Sequence, residues 1–239
     1  MSAAAAPEIA TGISRSRRAV RSRLARPKVA VDTVIFAIEG GRLKCYLVEL
    51  RRGTAAGKWA FPGGLVKVGE MLDDAARREL YAITALRDAY LEQLFTFGDP
   101  SRDPRAHVVS VAYMALIHDP AEVASCSPKY AHGLWFEVSN LPPLAYDHSL
   151  MADYALARLR AKLEYTNIAC NLLPRTFTFA QLETLYATVL HRELDRRNFR
   201  RRIMAMKLLR KLPRQLRGPH RPAALYTFAR RSLEVIEML

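Results

Sequence analysis

GLVKVGEMLDDAARRELYAITAL, residues 64–86, is the stretch whose reading decides the fold. Gly64 ends a Pro62-Gly63-Gly64 turn, and the chain from Leu72 to about Leu86 suits a helix. Asp73 and Asp74 fall in its first turn, where acids complement the helix dipole. Residues three and four apart share a face of such a helix. Glu79 stands in mid-helix beside Arg78, Glu70 precedes the helix, and one turn beyond Glu79 comes the aliphatic Ile83.

This stretch resembles a Nudix box, whose pattern is G-x5-E-x7-R-E-U-x-E-E-x-G-U with U an aliphatic residue. Gly64, Glu70, Arg78, Glu79, Leu80 and Leu86 fall in register, but the paired glutamates are replaced by Ala82 and Ile83 and the late glycine by Ala85. A complete box holds hard divalent cations through its helix carboxylates. Mg2+ demands oxygen ligands in near-octahedral geometry, and on a pyrophosphate it both neutralises charge and activates the attacking water. Glu79 with Glu70 makes at most a weak Mg2+ site, so no catalytic residue is assigned and no cofactor is required. Glu70, Arg78 and Glu79 are read as vestigial, tying loop to helix by ion pairing. If the fold stays intact, Ala82→Glu with Ile83→Glu should raise hydrolysis. Glu122, a lone acid in a later loop, is a weak candidate for a general base.

Half of the 239 residues are apolar, enough for a sizeable core. The net charge of +14 is concentrated at the ends. Residues 1–28 hold seven Lys/Arg against one acid and 166–239 hold fifteen against five, whereas 29–165 hold fifteen against seventeen. A near-neutral body with basic ends suits a polyanion gripped by the ends, nucleic acid before a membrane surface. The three cysteines, Cys45, Cys126 and Cys170, lack C-x-x-C spacing, which fits plain thiols in a reducing cytoplasm. No apolar run approaches the ~18–20 residues of a membrane span. The Ala-, Ser- and Arg-rich start shares its composition with transit peptides and DNA-touching arms, but a flexible solvated arm over residues 1–27 is the plainest reading.

Residues 28–165 read as one unit. Lys28–Glu39 is alternating and β-branched, so it reads as a strand, and Arg42–Leu50 returns as its partner across the two-residue turn Gly40-Gly41. Further strands are expected at 91–97, 108–117 and 134–138, with a turn-rich loop at 98–104 and a closing helix at 148–164. Strands and helices mix without βαβ periodicity, so the class is α+β, a mixed sheet with helices packed on it. Arg51, Arg52 and Lys58 cluster after the second strand, and Arg102 and Arg105 lie in the turn-rich loop. Without Mg2+, basic side chains such as these must neutralise a diphosphate. Trp59 and Phe61 flank the entry to the box and can stack a base, although core packing is the commoner fate of such aromatics.

Residues 166–239 read as a second unit. Thr178 and Gln181 form a capping box at the start of a helix over Phe179–Leu190, and after a short turn Asp195 caps another running to about Leu209. Phe199, Ile203 and Met206 make one apolar stripe, and at about 100° per residue Arg197 and Arg201 lie opposite it, with Arg200 on its flank. Strands at 212–216 and 223–228 then flank a basic tip. Helix, turn, basic helix and hairpin are the pattern of a winged helix-turn-helix. An arginine row on the second helix suits the major groove, where arginine bridges guanine O6 and N7. Arg196, Arg197, Asn198, Arg200 and Arg201 are the candidates there, and Arg214, Arg217 and Arg221 suit phosphate or minor-groove contact. No aromatic platform accompanies this helix, which disfavours single-stranded RNA.

Taken together, WAFPGG (59–64), the degenerate box, AYDH (145–148), KLEYT (162–166), LLPRTFTFAQLETLY (172–186), LDRRNFRRRI (194–203) and RPAALYTF (221–228) resemble the NrtR family, the Nudix-related transcriptional regulators of NAD metabolism. The resemblance spans about residues 28–228. It implies a Nudix-fold mixed sheet sandwiched by helices, followed by a winged helix, in a cytoplasmic homodimeric repressor. It further implies that the first unit senses ADP-ribose or a related nucleotide while paired winged helices hold a double-stranded DNA operator. The alternative is an active Mg-dependent ADP-ribose pyrophosphatase whose C-terminal unit binds DNA or dimerises.

Overall fold

The computed structural model describes residues 26–123, 127–216 and 222–236. Most of the expected N-terminal arm, Cys126, and the tip residues Arg217 and Arg221 lie outside these segments. β1 (Lys28–Glu39) and β2 (Arg42–Leu50) pair antiparallel about Gly40-Gly41, both glycines at positive φ, with the boundaries the sequence predicts. β3 (Trp59–Ala60), β4 (Gly63–Leu65), β5 (Tyr90–Phe97), β6 (Val108–Leu116) and β7 (Tyr130–Glu137) complete a seven-stranded sheet. Its order is β3-β2-β1-β6-β5, with β4 added to β1 and β7 to β2. The β1–β6 pair is parallel and the remaining pairs are antiparallel. β7 starts at Tyr130, four residues before the expected 134, because Tyr130 already pairs with Leu50.

α1 (Leu72–Thr84) and α2 (His148–Tyr165) cover opposite faces of the sheet. Val31 and Ile35 of β1, with Val111, Tyr113 and Ala115 of β6, meet Ala75, Ala76, Leu80 and Ile83 of α1. Val34 and Phe36, with Ala112 and Met114, turn the other way toward Met151, Ala155 and Leu159 of α2. A parallel pair covered on both faces reads as near-continuous apolar sequence, so the acid Asp32 inside β1 stands out. α1 ends at Thr84 rather than Leu86, because Ala85 turns into the left-handed region (φ 56°) and donates its N–H to Tyr81 O at 2.8 Å. The box glycine position has thus kept its backbone conformation after losing its glycine.

The C-terminal part is a winged helix-turn-helix. β8 (Phe177–Thr178) leads into α3 (Phe179–Leu190), whose capping box between Thr178 and Gln181 is present as expected. α4 (Arg196–Ala205), capped by the Asp195 carboxylate, ends four residues before the expected Leu209. Lys207 takes a left-handed φ of 54°, and from Leu209 the chain belongs to β9 (Leu209–Leu216), which pairs with β10 (Ala223–Phe228). The small sheet is ordered β8-β10-β9. One apolar cluster runs from β1 and β2 through α2 into α3, α4 and β10 without a break. Two hydrogen bonds stitch the same seam: Thr188 Oγ1 to Gly41 O at 2.7 Å and Arg160 Nε to Val189 O at 2.9 Å. Cys45 and Cys170 are buried free thiols, and burial pushes Cys45 up to about 12. Among the described residues no helix is long and apolar enough to cross a membrane.

Candidate functional site

A cleft of about 430 Å3 opens along the ends of β1 and β4. Its floor holds Asp32, which accepts a hydrogen bond from Ser110 Oγ. His148, at the start of α2, points Nε2 toward Asp32 Oδ2 at 3.8 Å and stacks on Phe61 with ring centroids 5.6 Å apart. The imidazole is almost wholly buried, and burial lowers its pKa, favouring the neutral ring. One wall is basic. Arg102 forms a two-pronged pair with Asp147, Nε to Oδ2 at 2.9 Å and Nη2 to Oδ1 at 2.6 Å. Arg105 pairs with Asp103 and reaches the Tyr146 hydroxyl at 3.1 Å. Lys28 lies at the rim.

Gly63, Gly64, Leu65 and Lys129 also line the cleft, and the rest of the degenerate box lies behind Gly64. Arg78 donates to both oxygens of Glu70 (2.7 and 2.9 Å) and to Oε1 of Glu79. The Arg78 guanidinium, aided by the Lys67 N–H, holds the Glu70 carboxyl down at about 2. Glu70, Arg78 and Glu79 therefore tie the loop to the helix, as the ion-pairing reading expects. Lys129, just before β7, donates to Gly63 O and to Glu79 Oε2, the latter at 3.2 Å. The Tyr130 hydroxyl accepts from Gly63 N and donates to Gly63 O, both at 3.0 Å. Gly63 and Gly64 allow these approaches. A Cβ on Gly63 would lie 2.1 Å from Asp32 Oδ1, and one on Gly64 would lie 2.2 Å from Glu79 Oε1.

The Mg2+ that a Nudix box implies does not fit this donor set. Ile83 is buried with Ile35, Tyr46, Leu80 and Tyr130, and Ala82 faces solvent with no donor to offer. Glu79 already has a cation on each oxygen. Among the described residues no group of three or more His, Cys, Asp or Glu is placed to hold an ion. The burial of Ile83 bears on the condition set for the Ala82→Glu, Ile83→Glu pair, an intact fold, because a glutamate there enters a hydrophobic cluster. Glu122 sits in a 3-10 turn beside His118 (3.3 Å) and does not line the cleft.

Of the expected ligand contacts, Phe61, Arg102 and Arg105 line the cleft. Arg51, Arg52 and Lys58 are exposed on the loop after β2 and lie outside its lining. Trp59 packs edge-on against Phe136, centroids 4.8 Å apart, which takes it from the cleft into the protein body. Sequence reasoning missed Asp32, Lys129, Tyr130, Tyr146 and His148. An acid within an apolar strand is a readable signal for Asp32. Lys129 carries none, because only the β2–β7 pairing brings it across the sheet to Glu79.

A second candidate surface is α4. Phe199 and Ile203 are buried and Met206 is partly buried, as the stripe predicts, while Arg196, Arg197 and Arg201 are exposed. Arg200 is anchored: its guanidinium lies 4.5 Å from the Phe179 ring centroid and donates to the Tyr226 hydroxyl at 3.0 Å. The Asn198 amide donates to the capping carboxylate of Asp195, and Arg214 is exposed on the outer strand β9.

Comparisons with known proteins bear on both surfaces. Residues 26–156 match the family model described as the NUDIX domain, and 169–228 match the NrtR DNA-binding winged helix domain. The chain is 33% identical over 207 residues to the ADPR responsive transcriptional repressor NtrR of Acinetobacter baylyi, covering 85% of this chain and 82% of the relative. It superposes on the crystal structure of Shewanella oneidensis NrtR complexed with a 27mer DNA with a TM-score of 0.75 and 31% identity, covering 84% of this chain and 93% of that one. The NUDIX domain of the same Shewanella protein, complexed with ADP ribose, matches with a TM-score of 0.50 and 29% identity, covering 58% of this chain and 92% of that one.

Proposed function

The chain belongs to the NrtR family of Nudix-related transcriptional regulators, and from that premise we propose that it is a DNA-binding repressor whose cleft takes ADP-ribose or a related nucleotide as effector. The observation that carries this reading is a pairing within one chain. A nucleotide-sized cleft retains its basic wall while the box carboxylate Glu79 behind it is occupied by side-chain cations, and a winged helix presents Arg196, Arg197 and Arg201 to solvent. The regulated genes are those of NAD metabolism, and the protein works in the cytoplasm as a homodimer on a palindromic operator. Half-sites for such a dimer lie about one helical turn apart.

In this reading residues 1–27 are an appended basic arm, 28–165 the sensor and 166–239 the DNA-binding unit. Arg102 and Arg105 face the diphosphate. Arg196, Arg197 and Arg201 enter the major groove, Asn198 borders it, Arg200 braces the helix, and Arg214 with Arg217 and Arg221 contacts the backbone. The continuous core supplies the coupling, because a shift of the cleft wall is transmitted through α2 to α3 and alters the spacing of the two recognition helices in the dimer.

A gel-shift on the DNA upstream of the protein's own gene tests this. ADP-ribose should lower the affinity and AMP should leave it unchanged. Mg2+-dependent release of AMP from ADP-ribose at rates above ~1 s−1, an ordinary enzyme rate, would instead identify a hydrolase.

A further inference from the structure

Glu79 is the one carboxylate remaining on the box face of α1, and what faces it is a lysine. The Lys129 ammonium bridges Glu79 Oε2 (3.2 Å) and the carbonyl oxygen of Gly63, a carboxylate and a backbone oxygen of the kind a hard cation takes. The arrangement is held from several sides. The Tyr130 ring lies 5.3 Å from the ammonium, and the Tyr130 hydroxyl clamps both polar atoms of Gly63. A Cβ on Gly64 would stand 3.0 Å from the Lys129 nitrogen, so glycine leaves the ammonium its place. The Lys129 side chain is 46% exposed and lines the same cleft as Lys28 and Arg105.

We propose that Lys129 is a tethered substitute for the divalent cation of the Nudix box, holding Glu79 and Gly63 O on one side and offering its remaining N–H to the diphosphate of the effector on the other. This rests on the nucleotide reading above and adds to it that recognition is independent of divalent metal. An ammonium and a divalent ion compete for the same two oxygens, so the lysine also excludes the metal. The substitution separates two roles that one metal ion combines. An ammonium neutralises phosphate charge and donates hydrogen bonds, but it has no coordination position in which to acidify water. The nucleotide is then bound without being cleaved, as a sensor requires.

Two readouts on the full chain test this. Isothermal titration with ADP-ribose, in EDTA and in millimolar MgCl2, should give the same affinity for the wild type. Lys129→Met should lose about 10- to 100-fold in EDTA, the usual range for deleting a hydrogen bond to a charged group, and Lys129→Arg should retain metal-independent binding, which shows that the site tolerates replacement. Electron paramagnetic resonance with Mn2+ alone needs no nucleotide: the wild type should leave the ion free, and Lys129→Ala, which frees Oε2 of Glu79 and the Gly63 carbonyl while Arg78 keeps Oε1, should bind it weakly. Wild-type binding of ADP-ribose only in Mg2+, or an unchanged Lys129→Met, overturns the substitution while leaving the effector reading intact. A wild type that ignores ADP-ribose in both buffers overturns the effector reading and the diphosphate contact with it. Mn2+ taken up by the wild type overturns the exclusion of metal by Lys129.

Discussion

The backbone N–H of Phe61 donates to Nδ1 of His148 at 2.9 Å, which leaves the imidazole proton on Nε2, turned toward Asp32. Burial is the main cause that lowers the pKa of this histidine below its ordinary 6.5, and the nearby Asp32 charge only partly opposes it. Between the lowered value and 6.5 the unfolded chain therefore binds more protons than the folded one, so stability falls as pH drops through that window. The melting temperature of the wild type should decline from pH 7.5 to 5.5, and His148→Gln should flatten that decline. Glu70 acts in a separate range, since its stabilising pair with Arg78 is lost only as pH falls from 4.5 toward about 2. A slope between pH 5.5 and 7.5 that survives His148→Gln counts against this assignment.

Ala85 holds a left-handed backbone at the end of α1. That conformation costs a non-glycine residue roughly 1–2 kcal/mol, partly offset by the greater unfolded-state freedom of glycine. Ala85→Gly should therefore stabilise the protein by about 1 kcal/mol and raise its melting temperature by about 2–4 °C. A fall in melting temperature would show that the turn is held by something other than its backbone.

Ile83→Glu places a carboxylate among Ile35, Tyr46, Leu80 and Tyr130. With no cation partner it should destabilise by roughly 3–5 kcal/mol, the scale of an uncompensated buried charge. Ala82→Glu, at an exposed position, should stay within about 0.5 kcal/mol of the parent. Urea melts of the two single variants distinguish them, and gain of Mg2+-dependent hydrolysis by Ile83→Glu at unchanged stability would contradict the packing argument.

The arginines of α4 divide by what they touch. Arg197→Ala and Arg201→Ala should each weaken operator binding and lower the slope of log affinity against log salt by about one where they meet phosphate. Both should leave stability nearly unchanged, because both side chains are exposed and, unlike the equally exposed Arg200, neither is braced by the Phe179 ring and the Tyr226 hydroxyl. Arg200→Ala should cost about 1–2 kcal/mol of stability through its lost contacts with Phe179 and Tyr226. Fluorescence anisotropy across a salt series, set beside thermal melts, separates the two classes. Equal losses of stability at Arg197 and Arg200 would refute the division.

Local chemistry made much of this fold readable. The Gly40-Gly41 turn delimits β1 and β2, and the Thr178–Gln181 box starts α3 at its observed residue. The end of α4 was not readable in that way, because Lys207 leaves the helix through a left-handed step that nothing in its side chain announces. The cleft was legible at Gly64 of the box and in the turn-rich loop, where Arg102 and Arg105 stand in a marked stretch. It was not legible where β2–β7 pairing imports Lys129 and Tyr130 from far along the chain. Trp59 illustrates the same limit in reverse. Its place beside the box allowed either a base platform or core packing, and Phe136 of β7 claims its ring.

The seam between the Nudix-like part and the winged helix has a further consequence. Leu185 and Val189 of α3 share one apolar cluster with Leu159 and Leu163 of α2, and Thr188 is bonded to the β1–β2 turn. The two parts are therefore not interchangeable cassettes. A chimera that grafts this reader onto a foreign sensor must import the α2 face with it, or it will join two half-cores that do not match.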